Sequence, residues 1–149
     1  MQEAGFISMT YTNPPEDAVR DVLKRARVIA VVGASPNPER PVYGVMDYLL
    51  RAGYRVIPVN PGQAGRSILG QTVFATLADV PEPIDIVDIF RRPEALSGVV
   101  DEALRLEPRP KVIWMQLGLR DDAAAARAEA AGLTVVMDRC IKVDHAHLL

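Results

Sequence analysis

Residues 28–41 read VIAVVGASPNPERP, an apolar run that ends in glycine and continues into a proline-rich loop. The five apolar residues from Val28 to Val32 are typical of a buried strand. A nucleotide-binding βα unit begins with such a strand, followed by a glycine, here Gly33, and an amphipathic helix. The first turn of such a helix offers free N–H groups to a phosphate. This stretch therefore predicts a phosphate-bearing ligand.

The same loop departs from the usual dinucleotide-binding pattern. Ser35 and Pro38 stand where that fingerprint would have further glycines. Asn60 stands at the end of the next strand, where a dinucleotide site usually has an acidic residue, although its amide could still meet a ribose hydroxyl. Both departures disfavour an ordinary NAD site. Because proline has no N–H, phosphate contacts in the loop fall to other backbone groups. These belong to Ala34, Ser35, Asn37 and Arg40.

Composition limits the class of protein. A chain of 149 residues, 49% hydrophobic and 24% charged, is long enough for one domain with a core. Its net charge of −2 gives no general attraction to nucleic acid or to an anionic membrane, so we expect neither as a partner. The single Cys, the lack of signal-peptide features and the lack of a run of about 18 apolar residues predict a cytoplasmic protein.

Apolar runs and amphipathic segments alternate along the chain. Residues 1–13 read as an irregular N-terminal arm and residues 14–149 as a single domain. Strands are predicted at 28–32, 54–59, 84–90, 111–117 and 133–137. Helices are predicted at 16–27, from 41 to 52, from 93 and from 121 to 131, with a short helical turn near Leu77. This alternation predicts an α/β fold, a Rossmann-like doubly wound parallel five-stranded sheet, with strand order 3-2-1-4-5.

Arginines are concentrated at the edge of the sheet where a ligand is expected. In a doubly wound sheet the ligand lies outside the carboxyl ends of the strands. The loops at those ends contain Arg40, Arg66, Arg91 and Arg92 and no lysine. Convergence of these side chains would provide charge-assisted hydrogen bonds for several phosphates in a protein that is acidic as a whole.

Several segments together carry a family resemblance. They are VVGASPNPERPVYGVMDYLL, VIPVNPGQAG, LADVPEPIDIVDIFRRPE, WMQLG and VVMDRCIKVDH. With these segments the chain resembles the YccU-like CoA-binding protein family, which is similar to the CoA-binding domain of the succinyl-CoA synthetase alpha subunit. The resemblance implies a single Rossmann-type domain that binds CoA or acyl-CoA.

The resemblance also implies contacts at matching positions. The first phosphate loop would comprise Gly33, Ala34, Ser35 and Arg40. The nucleotide would be flanked by Asn60 and Pro61, and its adenosine part approached by Phe90, Arg91 and Pro93. The pantetheine path would follow Gln116, Leu117 and Gly118. Synthetase-like loops commonly have a phosphate-binding Lys after the second strand, whereas this chain has Gln63, so Arg66 is expected to supply that charge.

We expect a binding protein without a catalytic centre of its own. Synthetase alpha subunits continue into a second domain with a phosphorylated His, which His145 and His147 do not match. Their spacing also fits no zinc signature, so no metal site is expected. Two alternatives remain open, an NAD(P)-dependent oxidoreductase module and a CoA-binding subunit of an acyl-CoA synthetase that works with a separate chain. A homodimer is a further possibility.

The remaining reactive side chains have competing interpretations. Cys140 falls at the ligand edge, where Arg139 could favour a thiolate and a mixed disulfide with CoA, but a free Cys is more often buried and inert. Asp85 and Asp88 interrupt an apolar strand. Because a buried carboxylate needs a partner, we expect each to be tied to a loop N–H or to an Arg. Trp114 is expected in the core.

Overall fold

The structure, a computed structural model, describes residues 10–149, so the first nine residues of the predicted arm lie outside it. A parallel sheet of five strands has the order β2-β1-β5-β6-β7. Its strands are β1 (Val28–Val32), β2 (Arg55–Val59), β5 (Ile86–Ile89), β6 (Val112–Met115) and β7 (Thr134–Val136). A small antiparallel hairpin, β3 (Ser67–Ile68) and β4 (Gln71–Thr72), lies in the connection between β2 and β5.

Helices cover both faces of the sheet. They are α1 (Glu16–Arg25), α2 (Pro41–Arg51), α3 (Leu96–Leu104), α4 (Asp122–Ala130) and α5 (Ile141–Leu148). Apolar residues of α1, α2 and α5 pack on one face, and those of α3 and α4 pack on the other. Single 3₁₀ turns occur at Pro61–Gln63, Leu77–Asp79 and Pro93–Ala95. Among residues 10–149, no helix combines the length and apolarity needed to cross a membrane. The predicted Rossmann-like α/β class is confirmed.

The predicted strand order was wrong. The third strand of the sheet along the chain, β5, lies between β1 and β6, with Ile86 opposite both Ile29 and Val112. All residues of β5 are buried, as a central strand requires. Strand β2 instead contains Pro58, which lacks the N–H needed for a ladder on both sides and is tolerated at a sheet edge. This proline was a sequence signal for the observed order.

The observed order places a crevice between the carboxyl ends of β1 and β5. From β1 the chain moves outward to β2 and then returns to β5 on the other side of β1. Gly33 follows β1 with a φ of +92°. A Cβ on Gly33 would overlap the carbonyl oxygen of Phe90 and lie 2.8 Å from its carbonyl carbon. Only glycine therefore allows these two loops to approach each other so closely.

The C-terminal segment forms a helix, α5, where the sequence predicted none. In α5, Ile141, Asp144 and Leu148 form a buried stripe, and the helix packs against α1 and α2. The stripe is short and contains an acidic residue. The sequence therefore shows only a weak helical periodicity of apolar residues in this segment. Helix α5 thus completes the cover of the face on which α1 and α2 lie.

Residues 11–13 of the predicted arm are anchored to the edge of the sheet at β7. The Tyr11 hydroxyl donates to the Val135 carbonyl at 2.6 Å. The Asn13 side chain donates to the Met137 carbonyl at 2.8 Å and accepts from the Met137 N–H at 2.7 Å. These contacts cover an edge that would otherwise present free backbone groups.

Asp85, which lies just before β5, and Asp88, which lies within it, have different environments. Asp85 accepts hydrogen bonds from the N–H groups of Arg27 and Val28 at 2.8 and 2.9 Å, as predicted. Asp88 is fully buried, and no described group donates to either of its carboxylate oxygens, so its predicted tie was wrong. Burial raises the pKa of Asp88 well above its ordinary value.

The close approach at Gly33 makes a testable prediction. Gly33→Ala combines a positive φ with overlap against Phe90, whereas Gly53→Ala has a similar φ of +99° and open space around the new Cβ. The control should lose about 1–2 kcal/mol of unfolding free energy from backbone strain. Gly33→Ala should lose at least about 1 kcal/mol more, measured by urea unfolding. Equal losses would contradict the close approach.

Burial of Asp88 predicts a pH-dependent effect of its replacement. A carboxyl whose pKa is raised in the folded state binds its proton more tightly there, so its contribution to stability falls as pH rises above about 4. Asp88→Asn removes this loss. The stability of the variant relative to wild type should therefore increase between pH 4 and 8, by at most about 1.4 kcal/mol per pH unit. Urea unfolding at several pH values measures the difference, and a pH-independent difference would refute the assignment.

Candidate functional site

A cavity of about 700 Å³ opens at the carboxyl ends of the strands, beside the crevice between β1 and β5. Its volume lies within the range of sites that bind small molecules and cofactors. Most residues that the sequence singled out for ligand contact line it. They are Gly33, Ala34, Ser35, Arg40, Asn60, Phe90, Arg91, Gln116, Leu117 and Cys140.

Other predicted contact residues lie outside this cavity. Pro61 lines a smaller neighbouring cavity of about 310 Å³ together with Gly33 and Arg91. Arg66, Pro93 and Gly118 are not in the wall of the main cavity. The N–H of Gly118 instead donates to the side chain of Asp138 at 2.6 Å.

The sequence did not single out several residues that line the cavity as ligand contacts. They are Pro41, Val42, Val45, Gln63 and Leu119. Val42 and Val45 were interpreted as part of the apolar stripe of α2, and they do face the core as well. Both residues lie near the start of α2, which directly follows the loop after β1. This position in the sequence was the signal that they could contact a ligand as well as the core.

The loop after β1 uses most of its polar groups to hold its own shape. The Ser35 hydroxyl accepts from the Asn37 N–H at 3.1 Å, and the Asn37 side chain accepts from the Glu39 N–H at 3.0 Å. The Arg40 N–H donates to the Asn37 carbonyl at 3.0 Å. The Ala34 N–H donates to the Val59 carbonyl at 3.4 Å. The N–H groups of Ala34, Asn37 and Arg40 are therefore engaged within the protein, contrary to the sequence-based expectation. Those of Ser35 and Val42 donate to no described residue.

Asn60 joins the loops after β1 and β2. Its side chain donates to the Ala34 carbonyl at 2.7 Å and accepts from the Gly62 N–H at 2.9 Å. Both ends of the amide thus form hydrogen bonds within the protein. Asn60 holds the wall of the cavity in shape, and its predicted contact with a ribose hydroxyl is not needed to explain its position.

The predicted arginine cluster divides into two parts. Arg40 and Arg91 line the main cavity, and neither forms a salt bridge with a described carboxylate. Arg92 lines a separate small cavity with Glu94. Arg66, on the far side of the turn after β2, borders neither cavity. Two cationic side chains, rather than all those predicted, therefore face the main cavity.

Gln116 closes the opposite end of the cavity. Gln116 is 5% exposed, and its side-chain amide oxygen accepts from the Ile141 N–H at 3.1 Å. This bond joins the end of β6 to the start of α5. The next residue, Leu117, is 71% exposed at the cavity mouth. An apolar side chain of that size in water forms part of an apolar rim.

Cys140 lines the cavity from the residue before α5 and is half-buried. The neighbouring Arg139 is held by Asp144, with N–O distances of 2.8 and 3.0 Å. The guanidinium is therefore paired with a carboxylate, which removes the predicted reason for a thiolate at Cys140.

His145 belongs to an aromatic cluster away from this cavity. Its Nδ1 lies 2.8 Å from the Tyr48 hydroxyl, and its ring packs edge-on against Tyr48 and Tyr54. Burial lowers the pKa of His145. Within the described residues, no group of three His, Cys, Asp or Glu side chains is placed to hold a metal ion.

Both the sequence and the fold of this chain are similar to those of known proteins. Residues 27–146 match the family described as CoA binding domain. An uncharacterised protein of Bacillus subtilis strain 168, YneT, is 42% identical over 134 residues, which are 90% of this chain and 96% of YneT.

Solved structures extend these similarities. A protein from Thermus thermophilus is 40% identical with a TM-score of 0.86, over 91% of this chain and 100% of that chain. The apo form of dinucleotide-forming acetyl-coenzyme A synthetase 1 from Ca. Korarchaeum cryptofilum has a TM-score of 0.64 at 24% identity. It matches 74% of this chain and 26% of its own. At that identity the synthetase shows a shared fold.

Proposed function

We propose, because the chain belongs to the family of CoA-binding domains, that its main cavity binds coenzyme A or an acyl-CoA. One observation carries the proposal. Two arginines without carboxylate partners, Arg40 and Arg91, face a cavity whose remaining walls are largely apolar. Coenzyme A has a matching distribution of charge, because its phosphates are at the nucleotide end and its pantetheine arm carries little charge.

The phosphates would bind where β1 meets α2. Arg40 and Arg91 provide guanidinium groups that form paired hydrogen bonds with phosphate oxygens. The free N–H groups of Ser35 and Val42 lie beside them, and Val42 is in the first turn of α2, where the helix dipole favours an anion. A protein with a net charge of −2 needs such a local arrangement to hold an anionic ligand.

The pantetheine arm would extend toward β6 and β7. Leu117 and Leu119 give that side of the cavity an apolar wall, and Gln116 and Cys140 stand at its end. An acyl-CoA would place its thioester in the same direction. Burial of the arm against these side chains would contribute about 25 cal/mol for each Å² of apolar surface removed from water.

Binding, rather than catalysis, is the function that these residues support best. No Asp, Glu, His or Lys side chain lines the main cavity among the described residues, so a general acid or base is not at hand. An NAD(P)-dependent oxidoreductase would need a Tyr, Lys or His beside its cofactor. A CoA-binding subunit that works with a separate synthetase chain, or a homodimer, is compatible with binding alone. The single Cys is typical of a reducing compartment and favours a cytoplasmic location.

A thermal-shift panel tests this function. A ligand at about 100 times its Kd should add roughly 2.7 kcal/mol of stability, which raises the melting temperature by several degrees. Coenzyme A and acetyl-CoA should produce this shift, and NAD, NADP and ATP should produce much smaller ones. Stabilisation by NAD without stabilisation by coenzyme A would overturn the proposal.

The same assay with arginine variants tests the position of the phosphates. Arg91→Ala should weaken coenzyme A binding about tenfold or more, because a charge-assisted hydrogen bond is worth about 1.5–3 kcal/mol. Arg92→Ala is a matched control. It removes the next arginine along the chain, whose side chain lines a different, smaller cavity. Equal losses in the two variants would argue for a general charge effect instead of a contact.

A further inference from the structure

Cys140 lies where the main cavity meets the start of α5. It is the residue immediately before that helix, it lines the cavity, and its thiol is free and only half-buried. The N–H groups of Lys142 and Val143, in the first turn of α5, donate to no described acceptor. Free N–H groups at a helix N-terminus favour negative charge. This end of the cavity therefore favours a thiolate or an oxyanion.

Gln116 brings a hydrogen-bond donor to the same end of the cavity. Its side-chain oxygen accepts from the Ile141 N–H, which fixes the orientation of the amide, because an N–H pairs with the oxygen and not with the nitrogen. The amide nitrogen, Nε2, donates to no described acceptor, and unlike the carboxylate oxygens of Asp88 it is not fully enclosed. A residue that is 95% buried thus presents an unpaired N–H to the cavity, and its oxygen is bonded to the residue next to Cys140.

We infer that Cys140 accepts the acyl group of a bound acyl-CoA as a thioester, an inference that rests on the proposed function. In that proposal the pantetheine arm extends toward β6 and β7, and Gln116 and Cys140 stand at its end. The Cys140 thiolate forms a C–S bond to the thioester carbonyl, and the bond from that carbonyl to the sulfur of coenzyme A breaks. The proton of Cys140 passes to solvent, and the departing coenzyme A thiolate takes one up. No oxidant, reductant or further reactant is needed.

Gln116 stabilises the charge that develops during this transfer. The carbonyl oxygen becomes negative in the tetrahedral intermediate, and Nε2 of Gln116 is a donor already held in place for it. A donor that is fixed before the reaction needs no reorganisation when the charge appears, and removal of one such donor typically slows acyl transfer by about 10²–10³. The free N–H groups at the start of α5 favour the same charge.

Proximity supplies the remainder of the rate. The ion pair between Arg139 and Asp144 leaves no free cation beside Cys140 to activate the thiol. Two reactants held together in one site nevertheless react as if at concentrations far above those reached in solution. A structural Cys is usually enclosed by apolar neighbours, whereas Cys140 forms part of a cavity wall.

The surroundings of Cys140 favour a lasting acyl-cysteine over hydrolysis. No Asp, Glu, His or Lys side chain lines the main cavity among the described residues, so no general base is placed to activate a water molecule. The reaction exchanges one thioester for another, and the position of its equilibrium follows the ratio of acyl-CoA to free coenzyme A. The protein therefore takes up an acyl group when acyl-CoA is abundant and returns it when free coenzyme A accumulates.

Intact-mass spectrometry with acetyl-CoA tests the inference directly. At mildly alkaline pH the wild-type protein should gain the mass of one acetyl group, and Cys140→Ala should gain none. Hydroxylamine, which cleaves thioesters, should remove the group, and an excess of free coenzyme A should do the same. The rate should rise with pH, because the thiolate is the nucleophile.

A relocated cysteine provides the matched control. Ala146 is exposed on the same helix and outside the cavity, so Ala146→Cys in the Cys140→Ala background gives a thiol without a binding site beside it. Acetyl-CoA should acylate Cys140 at least about 100-fold faster than the relocated thiol. The acetyl thioester of N-acetylcysteamine, which has the reactive end without the nucleotide, should acylate the two thiols at similar rates.

Gln116→Glu tests the proposed donor. The variant keeps an oxygen for the Ile141 N–H and replaces the amide nitrogen with a second oxygen. The acylation rate at saturating acetyl-CoA should fall roughly 100-fold, and urea unfolding checks that the variant remains folded. A weaker affinity for acetyl-CoA with an unchanged rate at saturation would overturn the role of Gln116 at the oxyanion.

The outcomes distinguish this inference from the function on which it rests. If a thermal shift shows that wild type does not bind acetyl-CoA, the proposed function and the inference both fall. If wild type binds acetyl-CoA and Cys140 stays unmodified, the inference alone is wrong. Acylation of Cys140 no faster than that of the relocated thiol would also overturn it, because the reaction would then owe nothing to the cavity.

Discussion

The contact between Gly33 and the Phe90 backbone is the constraint on which the site depends. It brings the loop after β1 against the loop after β5, where the direction of the chain through the sheet changes. Because the two loops meet there, Arg40 from the first and Arg91 from the second face one cavity. A side chain at position 33 would separate the loops. The arrangement of charge in the cavity thus follows from a missing Cβ.

Rigidity in the first loop comes from proline and from short-range hydrogen bonds instead of from further glycines. Asn37 uses both its side chain and its carbonyl to hold the loop, and Ser35 contributes its hydroxyl. These bonds consume N–H groups that a glycine-rich loop would offer to phosphate. Arginine side chains and the remaining N–H groups of Ser35 and Val42 take over that role. A preformed loop of this kind loses little entropy when a ligand binds.

The local elements could be predicted from sequence, whereas long-range placement was harder. Val28–Val32 and the helix from Pro41 were correct because a buried strand and a capped amphipathic helix leave clear patterns. The predicted strand order was wrong because apolar patterns locate strands but not their neighbours in a sheet. Pro58, which lacks an N–H, was a local sign that β2 lies at the edge. Arg66 and Arg92 do not line the main cavity, contrary to prediction. A sequence locates a loop but does not indicate the direction of its side chains. Gln63 stood out in the sequence only as the residue in place of a phosphate-binding Lys, and its buried, unpaired amide oxygen is visible only in the structure.

Amide chemical-shift mapping by NMR during a coenzyme A titration tests most directly whether the ligand lies at this crevice. The account predicts the largest changes at the N–H groups of Ser35, Val42 and Arg91. The amide signals of residues around Tyr48 and His145, in the aromatic cluster, should change little. Saturable changes confined to that cluster, with Ser35 and Val42 unaffected, would contradict it.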